Sequence, residues 1–439
     1  MGARETALNV LIASRQVDGW SNGLLKTYIS RDKLDKRDAA LATRLCYGVL
    51  QNRYKLDFFL QPLLTGKVKD LHPAIRDILH LGLYQLYEMD KVPQSAAVNE
   101  SVDLAKKYCK KQRFAPGLLN AVLRKAAQME LVQPTAWQEK YSHPQALIDL
   151  LKAYVGKNQI EPMLQANNAI PDTVVQVNSQ RITAAQLLLR MEGEGVTAQP
   201  HPWLPDCLVL SGTGNLEQLP SFREGLFYVQ DAAAKLSVLC AQLPANENWK
   251  VLDCCAAPGG KSFAAAIAMQ GRGTITACDV YEHKTHLIAA GAKRLGLENI
   301  SARHLDATSF VAEWENKMDA VICDVPCSGY GIIRKKPDIR YKNLKEMEKL
   351  PALQEQILHN QARYVRPGGV LLYSTCTLVR AENEGMVEAF LQQHPDFYLE
   401  KLTLPAIFPA NETGMLALVP GQYDTDGFFI ARLRRKSCT

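Results

Sequence analysis

Apolar positions in the first 130 residues recur at helical spacing. Around "DAALATRLCYGVLQNRYKLDFFL", Leu41, Leu45, Val49, Leu56 and Phe59 make one stripe, and Arg37, Arg44 and Lys55 fall largely off it. "HPAIRDILHLGLYQLYEM" repeats the pattern behind Pro73, a residue suited to a helix start. "QSAAVNESVDLAKKYCKKQ" extends it, and no period-two alternation intervenes, so residues 1–135 are predicted as an all-α domain. Residues 136–230 mix the two periods. "DTVVQVN" and "DCLVLSG" read as strands and "TAAQLLLRMEGEG" as a helix ending in glycine, which predicts a linker and a small α+β module. From residue 231 to 439 short apolar runs alternate with helical patterns: "WKVLD", "GTITACDV", "NISARHLDA", "MDAVICDV", "VLLYSTCTL" and "DGFFIARLRRK" are the strands. Such alternation predicts an α/β, Rossmann-like doubly wound sheet, whose ligands lie beyond the carboxyl ends of the strands.

Composition and charge narrow the class. Hydrophobic residues make up 47% and charged residues 22% of 439, ordinary for a globular chain. No run of about 18 apolar residues occurs, and the first twenty residues carry charges without an apolar core, so neither a membrane span nor a signal peptide is expected. The eleven cysteines form no disulfide-like framework and no C-x-x-C pair. Reduced thiols in a cytoplasmic protein without a structural metal are therefore expected. Residues 1–130 hold 21 Lys+Arg against 13 Asp+Glu, and the remainder holds 30 against 32. The excess positive charge thus sits in the helical third, with Lys106, Lys107, Lys110, Lys111 and Arg113 closely spaced. It suits a polyanion, although a merely solvated basic surface accounts for it equally well.

The unusual residues of the last segment fall at strand ends: Asp253, Asp279, Asp306, Asp324, Cys327 and Cys376. The turn "DCCAAPGGKS" lacks the spaced glycines of a dinucleotide fingerprint, and Cys255 stands where a phosphate-binding P-loop needs glycine. A nucleoside without phosphates remains, with Cys255, Ala256, Ala257, Pro258, Gly259, Gly260 and Lys261 as the approach surface. Asp279, at the next strand end, is placed for a ribose diol, and Asp306 for the adenine end. S-adenosylmethionine fits that set, with its sulfonium toward the fourth strand end. Any one of these aspartates is also explained as a helix cap.

Two thiols then need a reaction. Cytosine C5 becomes nucleophilic once a thiolate has added to C6, and a carboxyl group at N3 supports the charge that develops on the ring. Cys376 and Cys327 are the candidate thiols and Asp324 the candidate carboxyl group. Methylation of an exocyclic amine would favour an Asn/Asp-Pro-Pro-aromatic loop, and "DVPCSG" does not fit it. Cys46, Cys240 and Cys323 are expected to be small buried hydrophobes.

"DCCAAPGGK", "DVPCSGYGIIRKKPDIR", "LQEQILHNQARYVRPGGVLLYSTCTLVRAENE" and "DGFFIARL" resemble, in order, the blocks of the RNA cytosine-5 methyltransferases, the Nol1/Nop2/Sun family. The resemblance runs from about Val229 to Arg434. It implies S-adenosylmethionine on the glycine turn with Asp279, Asp306 and Asp324, Cys376 as nucleophile, and Cys327 as the thiol that assists product release. Residues 1–135 resemble the NusB-type helical RNA-binding domain. Members that carry it include enzymes of 16S ribosomal RNA, so that RNA is the implied partner; nothing in the sequence demands more than a monomer. Two other readings stay open: a transfer-RNA cytosine-5 methyltransferase, and a non-catalytic RNA-binding assembly factor. Tyr330 stands where the family has a smaller residue, at the expected approach of the target base.

Overall fold

A computed structural model describes residues 1–16 and 21–437, so Cys438 lies outside the described residues. The chain divides into two compact units, 1–168 with 333–342, and 169–332 with 343–439.

The first unit is helical. Its longest helix, Lys36–Leu60, starts where the Asp35 carboxylate accepts the Asp38 amide at 2.7 Å, satisfying one of the free N–H groups of the first turn. It bends at Asn52, whose side chain donates to the Gly48 carbonyl. Leu45, Val49, Leu56 and Phe59 of the predicted stripe are buried, and Leu41 is half-buried. The helix Pro73–Glu88 begins at Pro73 and is buried on nearly every side between Ala74 and Gln85, which makes it the core of the unit. Gly48 permits that packing: a Cβ there would lie 2.0 Å from the Tyr84 ring. The segment Ile333–Lys342 belongs to this unit. Arg340, 1% exposed, donates from Nη1 to the Gln51 and Ser142 carbonyls at 3.1 Å and to Asn168 Oδ1 at 2.9 Å. The Tyr341 hydroxyl donates to the Leu50 carbonyl at 2.6 Å.

The second unit contains two sheets. The smaller has four antiparallel strands, β1 (Thr173–Val177), β2 (Thr197–Pro200), β3 (Cys207–Ser211) and β4 (Phe227–Val229), in the order β2-β3-β1-β4. The helix Ala184–Gly193 packs with it behind a capping box made by Thr183 and Gln186. The strands expected at "DTVVQVN" and "DCLVLSG" are β1 and β3; β2 and β4 were not anticipated.

The larger sheet comprises β5 (Lys250–Asp253), β6 (Thr274–Asp279), β7 (Ile300–His304), β8 (Met318–Asp324), β9 (Val365–Thr375), β10 (Phe397–Leu399), β11 (Met415–Leu418) and β12 (Phe428–Arg435). Its order is β10-β12-β9-β8-β5-β6-β7, with β11 on β12. Strands β5 to β9 are parallel, and β12 runs antiparallel to β9. Neighbouring residues of β8 serve opposite faces: Val321 and Cys323 pack in one apolar cluster with Leu252, Leu371 and Phe429, and Ile322 in another with Val251, Leu372 and Ile430. Both faces being covered explains why these strands read as continuous apolar runs. This is the expected α/β, doubly wound architecture behind an all-α segment. The strand order reverses at β5, between β6 and β8, which opens a crevice at their carboxyl ends.

Candidate functional site

The turn after β5 is shaped by its glycines. Gly259 has φ +113°, a left-handed conformation, and a Cβ there would meet the Phe263 ring at 2.4 Å. A Cβ on Gly260 would lie 2.9 Å from the Gln230 amide nitrogen. The turn is pinned on both sides: the Ala256 amide donates to the Cys278 carbonyl at 2.8 Å, and the Gly259 amide to the Ala256 carbonyl at 2.7 Å. Gly260 opens the helix Gly260–Ala268, so the backbone can approach a ligand there without a side chain between.

Below the turn, Asp253 is fully buried and accepts the Ser262 hydroxyl at 2.7 Å. Burial pushes its pKa up to about 7, partly opposed by that hydrogen bond. Asp279, 7% exposed, ends β6 and accepts the amides of Ala257 at 3.3 Å and Tyr281 at 3.0 Å. Its carboxylate is thereby tied to the glycine turn, as a shared nucleoside site requires. Asp306 follows Leu305, whose amide donates to the Asp279 carbonyl at 3.1 Å. It is exposed, and its Oδ1 accepts the amide and hydroxyl of Thr308, at 2.9 and 2.8 Å, within its own turn.

The end of β8 carries the charge. Lys261 Nζ lies 2.7 Å from Asp324 Oδ2, and the Ser374 hydroxyl donates to Oδ1 at 2.8 Å. Burial disfavours the Lys261 ammonium, but Asp324, with Asp253 and Cys376 behind it, outweighs that cost and raises its pKa. The ammonium also lies 5.1 Å from the centre of the Phe428 ring. Cys255 is a half-buried thiol 3.8 Å from Cys254; the contact with Cys254, then desolvation, push its pKa well above the ordinary value.

Adjacent parallel strands bring the two cysteines together. Asp324 pairs with Ser374 in the β8–β9 register, so residues just past the two ends share one edge. Cys327 and Cys376 sulfurs lie 3.3 Å apart, both half-buried. The hydrogen bond with Cys376, then burial, then the charges of Cys376, Glu382 and Asp324 hold Cys327 well above the usual thiol range. Either sulfur can donate the hydrogen bond that joins them. Cys46, Cys240 and Cys323 are buried, as small hydrophobes would be. Tyr330 is 1% exposed, so its ring does not stand free at the opening.

The sequence-predicted residues Lys261, Asp279, Asp324, Cys327 and Cys376 thus lie at the strand ends around one crevice, with Asp306 at the end of the neighbouring strand. Four residues were not foreseen: Ser374, Ser328, Thr377 and Glu382. Ser374 and Thr377 flank the Cys376 motif and read only as strand-end hydroxyls, and Glu382 is one acid in a polar run.

Three family profiles match the chain: 16S rRNA methyltransferase RsmB/F over residues 240–434, the NusB family over 1–128, and the ferredoxin-like domain of RsmF/B-like methyltransferases over 143–217. A Bacillus subtilis protein described as a probable ribosomal RNA small subunit methyltransferase B is 34% identical, over 99% of this chain and 98% of its own. The solved structure of PH0851 superposes with a TM-score of 0.83 at 24% identity, covering 99% of this chain and 98% of that one. NSun6 from Pyrococcus horikoshii, solved with SFG, gives a TM-score of 0.59 at 21% identity over 67% of this chain and 99% of that one. At these identities the two structures speak to the fold.

Proposed function

The chain belongs to the RsmB/F family of 16S rRNA methyltransferases, and from that membership we propose that it methylates C5 of one cytosine in 16S rRNA, with Cys376 as covalent nucleophile. The observation that carries the reading is the 3.3 Å pair of thiols at the ends of adjacent strands, beside the Lys261–Asp324 pair.

The residues after β5 fit S-adenosylmethionine. The turn presents bare backbone at Gly259 and Gly260, where Phe263 and Gln230 leave no room for a Cβ, and Asp279 is tied to the same turn. Cys255 through Lys261, Asp279 and Asp324 would hold it, with Asp306 at the adenine end. When bound it supplies an electrophilic methyl group on a sulfonium. The chain's own residues prepare the acceptor. Cys376 adds as thiolate to cytosine C6, making a C6–S bond and placing electron density on C5. Asp324, once it has taken up a proton, donates it to N3 as negative charge builds on the ring, and the adjacent Lys261 ammonium stabilises the charge that remains. After transfer the C5 proton leaves to a base, the C6–S bond breaks, and Cys376 departs as thiolate. Cys327, 3.3 Å away, stabilises that departing sulfur by donating a hydrogen bond to it. The target base must be unpaired or flipped out for C6 to meet the thiol.

The test is labelled-methyl transfer to unmodified 16S rRNA, with transfer RNA and DNA in parallel and base analysis of the product. The expected result is 5-methylcytosine at one 16S position. Cys376→Ala should abolish transfer with cofactor binding retained, and Cys327→Ala should accumulate a denaturation-resistant protein–RNA adduct. Activity retained in Cys376→Ala overturns the covalent reading; label confined to transfer RNA overturns the substrate.

A further inference from the structure

Cys327 and Cys376 lie on different loops, so something must hold those loops in register. The Gly331 amide, donating to the Cys376 carbonyl at 2.9 Å, is one tie, and a buried carboxylate supplies another. Glu382, 2% exposed, ends the short turn Arg380–Glu382 that follows the Cys376 loop. Its Oε2 accepts the Ser328 amide at 2.9 Å and the Gln354 side-chain amide at 2.8 Å; its Oε1 accepts the Ser328 hydroxyl at 2.6 Å. Gln354 donates also to the Pro326 carbonyl at 2.9 Å, so both chain neighbours of Cys327 are fixed through this carboxylate.

Proton accounting extends the link to the other thiol. The Ser328 hydroxyl has one proton, and it goes to Glu382. Its 2.6 Å contact with the Thr377 hydroxyl must then be a bond that Thr377 donates and Ser328 accepts. Thr377 is the chain neighbour of Cys376. The backbone reinforces the arrangement: the Tyr373 hydroxyl donates to the Glu382 carbonyl at 2.7 Å, and Asn383 accepts the Thr375 hydroxyl at 2.6 Å and donates to the Thr377 carbonyl at 3.0 Å. A buried carboxylate with three donors is stable only in this geometry, because removing any donor leaves buried charge unmet.

We propose that Glu382 is the positioning residue that holds Cys327 and Cys376 as a pair, acting through Ser328, Gln354 and Thr377. It touches neither the base nor the cofactor. Its negative charge beside Cys327 also favours the neutral thiol there. The consequence for the reaction rests on the covalent reading above, but the pairing of the thiols does not.

The test uses the full chain and reads the thiols directly. Iodoacetamide labelling, resolved by peptide mass spectrometry, gives the ratio of alkylation rates at Cys376 and Cys327. In the unmodified chain Cys376 should react faster. Glu382→Gln keeps the volume but offers one acceptor oxygen to three donors and removes the charge; the ratio should fall about tenfold because Cys327 gains thiolate character. General loosening would instead raise labelling at Cys254 and Cys255 as well. Ser328→Ala keeps the amide bond to Glu382 and cuts the hydroxyl link to Thr377; it should shift the ratio the same way by less, and it decides the matter if Glu382→Gln does not fold. With rRNA, Glu382→Gln should lower kcat about tenfold or more and leave KM for S-adenosylmethionine within about twofold. Folded variants with the original thiol ratio overturn the assignment to Glu382. An unmodified chain that forms no 5-methylcytosine overturns the covalent reading and leaves the thiol result to judge Glu382.

Discussion

Replacing Arg340 by Met removes a buried fork and keeps most of the side chain's packing. The size of the effect can be worked from its contacts. Nη1 has two hydrogens and four acceptors: Asn168 Oδ1 at 2.9 Å, the Gln51 and Ser142 carbonyls at 3.1 Å, and the Tyr141 carbonyl at 3.4 Å. Two bonds at full strength are the most it can make, together about 3–6 kcal/mol for a charged donor. Against this, burial of the guanidinium pulls its pKa down to about 10, a cost of about 3 kcal/mol that Met does not bear. With the carbonyls left unmet, a net destabilisation of about 2–3 kcal/mol is expected for the helical unit. In calorimetry that is a fall of about 5–10 °C in the transition of a unit this size. Trypsin should then cut after Arg334 and Lys335 about 30- to 150-fold faster, following the opening equilibrium of the segment. Arg340→Lys sharpens the test, because Lys still bears the burial cost without the fork and should be no more stable than Met. Unchanged melting and proteolysis in Arg340→Met, or full stability in Arg340→Lys, would refute the reasoning.

Three further outcomes follow from the same structure. His143 is fully buried, and burial, then the neighbouring Arg340 charge, lowers its pKa well below the ordinary value. The unfolded chain binds the extra proton, so the helical unit should lose stability as pH falls below about 6.5, and His143→Gln should flatten that slope in melts from pH 7 to 5. Asp253 has the opposite sign: with its pKa raised to about 7, the folded state binds the proton, so its contribution should decline as pH rises from about 4 to 7. Asp253→Asn should remove that decline; the comparison of the two melts across this window decides it. Gly259→Ala forces a Cβ into the Phe263 ring at a backbone angle alanine avoids, so cofactor affinity in calorimetric titration should drop about tenfold or more. Affinity equal to the unmodified chain would mean the turn is not the cofactor's seat.

Much of this architecture could be read locally. The stripe in Lys36–Leu60 and the strands β5, β6, β7, β8, β9 and β12 follow from periodicity and apolar runs. The short strands β10 and β11 escaped because three or four residues carry no period of their own and pair only because β12 is there. The excursion of Ile333–Lys342 into the helical unit escaped for a different reason. A basic, proline-containing stretch looks solvated, and only the backbone oxygens gathered around Arg340 give its guanidinium a reason to be buried.

The sequence by itself determined the order of helices and strands, the glycine turn and the two cysteines at strand ends, because each depends on neighbours a few residues away. Tertiary structure decided which of these groups act together. Lys261 meets Asp324 across 63 residues, Cys327 meets Cys376 across 49, and Ser328 meets Glu382 across 54. Those distances are set by strand order and register, and a carboxylate such as Glu382 has a role only once burial makes every one of its hydrogen bonds obligatory.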